Sequence, residues 1–416
     1  MRCKGLPRLE QLISRVLRGN SIKKYAPTEI FMDDVRFVDT ATELLALCNR
    51  LRQSDWVAVD TEFIREKTFY PRLCLIQVAT HQVIACIDPL EIESLDPLLD
   101  ILFDKAVTKI FHAARQDLEI FHHLRDGLPI PVFDTQIAGR LLGHGEQLSY
   151  RDLVQVILGV SLQNSQTRTN WALRPLRNSQ IGYAIDDVRF LGELYRRLSA
   201  ALHAKGREGW VWEDCARLSD PSHYSMDPME AWKRVRSHQK LHGQQLAVLR
   251  ALADWRERQA IANDKPRKWI LADALLLELS RKLPQDTTSL SKMRGLPEKL
   301  LNRWGHEITD VIEKARQLPR EAGFERPSPQ RLAPEQESTV DLMMAVVRQQ
   351  ALLHDISPTV IATHKTLKRL ILGDTELPLL EGWRAEIAGK MLQSLLAGQT
   401  RLGIQNGRIV IEGPPE

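Results

Sequence analysis

The chain has 416 residues, too long for one ordinary domain and suited to two or three. Apolar residues make up 43% and charged residues 26%, proportions that exclude a collagen-like chain, a disulfide miniprotein and a wholly disordered tail. The net charge is only +4, but it is unevenly spread: residues 31–200 hold 18 basic and 23 acidic side chains, and residues 232–304 hold 16 basic and 7 acidic, a local net of +9.

In chain order, residues 1–30 read as a basic N-terminal extension. The first 24 carry seven basic side chains and one acid, Glu10. Leu12, Ile13, Val16 and Leu17 have helical spacing, and no apolar signal core is present, so a basic surface helix or a floppy extension is expected there rather than a targeting segment. Residues 31–202 alternate two periodicities. Strands are expected over 35–38, 56–59, 73–79, 83–87 and 108–111, with a hairpin turn at His81-Gln82; helices are expected over 42–51, 115–123, 135–142, 150–158 and 179–202, the last capped by Ser179. Strands mixed with helices, including one hairpin, indicate an α/β domain with a mixed sheet.

Residues 203–235 read as a connector. From about 232 the strand signals vanish. Helices are expected over 241–261, 269–283, 289–304 and 306–317, giving an all-α module over 236–318. Pro319, Pro327, Pro329 and Pro334 mark a linker over 319–335, and a second helical bundle is expected over 336–416. No apolar run approaches the ~18 residues of a membrane span, so no membrane partner is expected. Five cysteines (Cys3, Cys48, Cys74, Cys86, Cys215) form no C-x-x-C pair, which favours reduced thiols and a cytoplasmic location over a disulfide framework or zinc site.

Asp60 and Glu62 sit where an apolar strand ends. Residues i and i+2 of a strand face the same way, and two carboxylates on one face repel unless a cation lies between them. Hard oxygen donors suit Mg²⁺ or Mn²⁺. Taken alone, Asp-x-Glu is a weak motif: it recurs at Asp117/Glu119 and at Asp374/Glu376, where Asp374 follows Gly373 and reads as a solvated loop. Asp117 lies where a strand runs into a helix; by itself it would pass for a helix-favouring acid in the first turn. Tyr183 and Asp187 are four apart on one helix face, whereas Asp186 points about 100° away.

As an ordered set, Asp60-x-Glu62, Asp117 after a strand, and Tyr183-x-x-x-Asp187 on a helix resemble the three motifs of the DEDD 3′→5′ exonucleases. The tyrosine at 183, with Gly182 where the histidine subtype would carry histidine, resembles the tyrosine subtype. Ala58-Val59-Asp60-Thr61-Glu62-Phe63, Tyr70-Pro71-Arg72-Leu73-Cys74-Leu75-Ile76-Gln77, Phe133-Asp134-Thr135-Gln136 and Arg174-Pro175-Leu176 are similar to the ribonuclease D family. Thr169-Asn170-Trp171 departs from it, with Asn170 where Asp is expected. Leu246 to Trp255-Arg256, Ile270 to Asp273 and Leu290 to Leu296 resemble an HRDC module; Leu352 to Ser357-Pro358 and Leu380 to Trp383 resemble a second, diverged copy.

The resemblance implies a ribonuclease H-like α/β exonuclease domain over 31–202, followed by two all-α HRDC-like bundles. It implies a metal-dependent 3′→5′ exoribonuclease that trims single-stranded RNA 3′ ends, tRNA precursors among them, to nucleoside 5′-monophosphates. Two divalent ions, Mg²⁺ or Mn²⁺, would be held by Asp60, Glu62, Asp117 and Asp187, with Asp60 bridging and Tyr183 holding the attacking water. Phe63, Gln77 and His112 are candidate substrate contacts: Phe63 by stacking near the terminal base, Gln77 from the outward face of a strand, His112 by touching metal or phosphate. Phe69 and Trp171 are expected in the core. A DNA 3′→5′ exonuclease and a non-catalytic nucleic-acid-binding scaffold are the alternatives.

Overall fold

Along β2 (Trp56–Ile64), Val57, Val59 and Thr61 are buried while Asp60 and Glu62 are half-buried, the alternation of a strand with one face on a core. A computed structural model describes residues 34–162, 169–225, 227–318 and 332–412, which fall in one compact unit. The expected extension over 1–30 and the linker prolines 319, 327 and 329 lie outside the described residues. Strand β2 is central in a six-stranded sheet with β1 (Val35–Val38), β3 (Arg72–Ala79), β4 (Ile84–Ile87), β5 (Thr108–Phe111) and β6 (Val132–Asp134), in the order β1-β4-β3-β2-β5-β6. Strands β2–β3 and β3–β4 pair antiparallel, and β1–β4, β2–β5 and β5–β6 pair parallel, so the sheet is mixed.

Helices α1 (Ala41–Leu51), α2 (Asp96–Leu102) and α3 (Arg115–Leu124) bury Leu44, Leu47, Leu98, Leu118 and Phe121 against Val57, Val59, Ile76 and Val78 of one sheet face. The chain continues through α4 (Thr135–Leu141), α5 (Tyr150–Leu158), α6 (Asn178–Arg189), α7 (Leu191–Ala204) and α8 (Glu208–Leu218). Helix α6 packs on β2, β3 and β4. Phe69 and Trp171 are both buried.

Three differences from the sequence reading have physical causes. The helix expected over 179–202 is two helices, capped at Arg177 rather than Ser179 and broken at Phe190. The Tyr150 hydroxyl donates to the Asp186 carbonyl (2.8 Å) and accepts from the Phe190 N–H (3.2 Å), the two groups a continuous helix would pair with each other. The stretch read as a connector contains α8, which buries Val211 and Cys215 against β6 and α4. Strand β6 escaped notice because it is three residues long and follows Pro129 and Pro131.

The helical module holds α9 (Gly243–Ala262), α10 (Asp273–Lys282) and α11 (Glu298–Arg316) around Leu249, Leu252, Leu276, Leu290, Ile308 and Ile312. Two helices were expected where α11 runs unbroken. Gly305, read as a break, is buried inside it; a Cβ there would stand 3.1 Å from Leu301 Cδ1 and 3.9 Å from Leu290 Cδ2. The β2–β3 connection joins this module to the sheet. Phe69 enters the helical core, and Asp264 Oδ1 accepts from the Phe69 and Tyr70 N–H groups at 2.9 and 3.2 Å.

Beyond residue 331, α12 (Pro334–Leu353) and α13 (His364–Ile371) pack together, and Pro334, counted with the linker, is the first residue of α12. The expectation that strands end by residue 232 is corrected by a terminal hairpin, β7 (Arg401–Gln405) and β8 (Arg408–Glu412). Its turn residues Asn406 and Gly407 have φ of +52° and +74°, the conformation that Asn-Gly favours in two-residue hairpins. Among the described residues no helix is long and apolar enough to cross a membrane, and Cys48, Cys74, Cys86 and Cys215 are free and buried.

Candidate active site

Asp60 and Glu62 lie on the β2 face covered by α6, and Asp187 comes from α6 itself. Ligand oxygens of these three carboxyls all lie within 4.8 Å of one another. In each of the other two Asp-x-Glu pairs one acid is neutralised: Arg65 pairs with Glu119 at 2.5 Å, and Arg369 with Asp374 at 2.5 Å. Asp60, Glu62 and Asp187 have no ion-pair partner within 4 Å among the described residues, and Asp186 turns aside to Arg189 at 3.4 Å.

Asp117, buried in the first turn of α3, is tied to β2 by the Thr61 hydroxyl, which donates to its Oδ1 at 2.5 Å. The turn before it is fixed from β6: the Asp134 carboxylate accepts from the Ala113 and Ala114 N–H groups (3.2 and 2.9 Å) and from Gln136 N at the start of α4 (2.8 Å). Ala113 is held at φ +60°, a conformation a residue with a Cβ seldom adopts and one that clusters at functional turns. Thr61 and Asp134 were both missed as site residues. Each stands inside a motif the sequence made visible, but which side chain supports which carboxylate depends on pairings far apart in the chain.

Burial and mutual repulsion push the acids toward their protonated forms when no cation is near. Burial, then Asp60, Asp187 and Asp117, push Glu62 up to about 9. Asp187 is pushed up to about 7, by burial first, with a hydrogen bond from Tyr183 and the charge of Arg151 opposing. Burial and Asp187 raise Asp60 well above the carboxylate range; burial and Asp60 do the same to Asp117 against the Thr61 bond. Tyr183 is raised by burial and by Asp187, so it is a neutral phenol.

The remaining candidates separate. Phe63 is half-buried beside Glu62 and packs on the edge of the sheet core. Gln77 pairs in register with Asp60 but does not face outward: it is wholly buried, and neither polar atom of its amide has a protein partner. His112 has both ring nitrogens engaged, Nε2 donating to the Leu148 carbonyl (3.0 Å) and Nδ1 meeting the Thr135 hydroxyl (2.9 Å), which leaves neither nitrogen for a phosphate. Asn170, in the departing motif, accepts from Ala172 N at 3.0 Å as a local turn cap.

An all-carboxylate cluster with no ion-pair partner within 4 Å among the described residues, and costly to ionise, fits a hard divalent cation with oxygen ligands. Asp60, Glu62 and Asp187 supply the close set, and Asp117 stands beside it through Thr61.

A family model described as a 3′-5′ exonuclease matches residues 35–203, and the HRDC domain model matches residues 245–312. Ribonuclease D of Bartonella henselae is 35% identical over 383 residues, covering 90% of this chain and 93% of that protein. The Zymomonas mobilis ribonuclease D is 38% identical over 379 residues, covering 90% and 96%. The crystal structure of Escherichia coli RNase D, described as an exoribonuclease involved in structured RNA processing, matches with a TM-score of 0.79 at 30% identity, over 88% of this chain and 99% of that one.

Proposed function

The chain belongs to the ribonuclease D family and is a 3′→5′ exoribonuclease; on that premise we propose that Asp60, Glu62, Asp117 and Asp187 hold two divalent cations, Mg²⁺ or Mn²⁺, and that Tyr183 orients the attacking water. The observation that carries this is the convergence within 4.8 Å of three carboxyls that have no ion-pair partner among the described residues, from a strand and a helix far apart in sequence. When bound, two such ions stabilise the attacking and leaving oxygens of a phosphodiester and lower the pKa of water.

The protein's own groups do the rest. Asp60, which clusters with both Glu62 and Asp187, would be the ligand the two ions share. Tyr183 is no base, because its neighbours keep its proton on. Its hydroxyl donates a hydrogen bond to Asp187, which leaves the oxygen lone pairs to accept a hydrogen bond from water and aim the water's nucleophilic lone pair. Thr61 and Asp134 are positioning residues that fix Asp117. Phe63, beside Glu62, is placed to stack on the terminal base.

The substrate proposed is a single-stranded RNA 3′ end, with tRNA precursors as the natural class and nucleoside 5′-monophosphates as products, in the cytoplasm. The +9 balance over residues 232–304 supports the helical module as the part that holds the polyanion. We assign residues 336–416 to a second, diverged HRDC-like module, which the packing of α12 on α13 supports. Digestion of 5′-labelled RNA and DNA oligomers, with and without Mn²⁺, tests the reading. Stepwise shortening of RNA that needs the metal and is lost in Asp60→Asn and Asp187→Asn is expected. Turnover retained in both variants would remove the site assignment, and equal cleavage of DNA would remove the RNA preference.

A further inference from the structure

His112 and Tyr150 have no part in the chemistry above, yet together they join the stretches of chain that carry Asp117 and Asp187. His112 follows β5 and precedes Ala113, whose φ of +60° turns the chain into α3 and Asp117. Its ring is locked by the Leu148 carbonyl at 3.0 Å and the Thr135 hydroxyl at 2.9 Å, so it can carry position but has no nitrogen left for a ligand. Leu148 lies two residues before Tyr150. The His112 and Tyr150 rings meet edge to face, with centroids 5.7 Å apart and planes at 64°.

Tyr150 opens α5, and the Ser149 hydroxyl caps that helix by accepting from Asp152 N at 3.2 Å, so the Tyr150 backbone is fixed independently of α6. From there its hydroxyl reaches across 36 and 40 residues to donate to the Asp186 carbonyl (2.8 Å) and accept from the Phe190 N–H (3.2 Å). Asp187 is the residue directly after that carbonyl. In an unbroken helix the same two backbone groups bond each other. A side chain inserted into the ladder opens and bends it, here in the last turn of α6, under Asp187. Burial first, then the charges of Asp187 and Asp60 against the Phe190 N–H, raise the Tyr150 phenol, so its proton stays on and remains available to Asp186. The Asp187 carboxyl has to meet Asp60 and Glu62 with ligand oxygens within 4.8 Å, which leaves little tolerance in the path of that turn.

We propose that Tyr150 is a positioning residue for metal binding: by holding open the end of α6 it sets the Asp187 carboxyl against Asp60, and His112 braces it from the Asp117 side. This role rests on the metal-site reading of those carboxylates. His112 and Tyr150 would tie the two sides of the site to one frame, so that Asp117 and Asp187 keep their separation while the cluster is charged.

The test is titration of the full chain with Mn²⁺ by calorimetry, without RNA, alongside urea unfolding and steady-state kinetics on an RNA oligomer. Tyr150→Phe removes the hydroxyl alone. His112→Phe keeps a ring against Tyr150 and removes both hydrogen bonds, while Gln136 Nε2 still donates to the Leu148 carbonyl at 3.0 Å. Tyr150→Phe should weaken Mn²⁺ binding about tenfold, the low end for groups that stand behind metal ligands. It should lower kcat while the KM for RNA changes less than about twofold. His112→Phe should weaken Mn²⁺ binding about threefold, and the double variant no more than Tyr150→Phe alone, because one residue acts through the other. Losses that multiply in the double variant would remove His112 from the brace. Asp187→Asn separates the two readings. Unchanged Mn²⁺ binding in Asp187→Asn would remove the metal site and this role with it. Binding lost in Asp187→Asn but parental in Tyr150→Phe, whatever the urea midpoint, would overturn the role of Tyr150 alone. Should Tyr150→Phe fail to fold, parental Mn²⁺ affinity in His112→Phe would overturn it instead.

Discussion

Thr61→Val isolates the contribution of one hydroxyl to the metal site. Valine keeps the shape of threonine but removes the donor that holds Asp117 Oδ1 at 2.5 Å in a buried position. A hydrogen bond to a charged group is worth about 1.5–3 kcal/mol. At about 1.4 kcal/mol per decade this becomes a loss of roughly ten- to hundredfold in affinity for an ion that needs Asp117 ionised and in place. Groups behind metal ligands elsewhere have effects of that size. The Thr61 bond opposes the upward pull of burial and Asp60 on Asp117. Its loss should therefore also move metal activation to higher pH. The assay is nucleotide release against Mn²⁺ concentration at several pH values for wild type, Thr61→Val and Thr61→Ser. The activation midpoint should rise in Thr61→Val and return toward wild type in Thr61→Ser. A Thr61→Val midpoint identical to wild type would refute the role given to this contact.

Other expectations concern protons, packing and stability. With Asp187 pushed up to about 7 and Glu62 to about 9, the metal-free site holds protons that a cation must displace. Metal affinity should rise with pH from about 6 to 9, and calorimetry in two buffers should show proton release that fades above about 9; pH-independent affinity would count against this. A Cβ on Gly192 would meet Trp56 Cη2 at 2.3 Å, so Gly192→Ala should lower stability by about 1–3 kcal/mol, read from denaturant unfolding. Asp214 is buried with Arg384 at 2.5 and 2.9 Å and Arg140 at 2.8 Å. Asp214→Ala should cost about 3–5 kcal/mol by leaving the buried Arg384 unpaired. Burial pushes the Asp214 carboxyl up, but the two arginines overcome it and hold it below its ordinary value. Its stabilisation is therefore complete above the usual carboxylate range and is lost as pH falls through the lowered value. Acid unfolding of the wild type, compared with Asp214→Asn, checks that direction.

What the sequence revealed and what it hid follow from the range of the interactions involved. Asp60, Glu62 and Asp187 were legible as a set through the resemblance to the DEDD exonucleases; strand and helix periodicity only put Asp60 with Glu62, and Tyr183 with Asp187, on common faces. Tyr150 was read only as a helix start, yet its hydroxyl splits α6 from α7 across 36 and 40 residues, which periodicity cannot register. Gln77 looked outward by strand alternation, but α6 covers that face. For His112 the sequence left a structural role and a phosphate contact both open, and Thr135 and Leu148, 23 and 36 residues away, take both ring nitrogens. The break expected between 304 and 306 falls inside α11, where Gly305 lets Leu301 and Leu290 approach closely. The terminal hairpin had a readable signal in Asn406-Gly407 between apolar residues, overridden by the helical run before it.

The central claim, that Asp60, Glu62 and Asp187 share a divalent cation with Asp117 beside it, meets its most direct test in crystals grown with Mn²⁺ at a concentration that supports nucleotide release. Anomalous scattering recorded at the manganese edge should peak among those carboxylates and disappear in Asp187→Asn. Ordered manganese elsewhere on the chain, with none between β2 and α6, would contradict it.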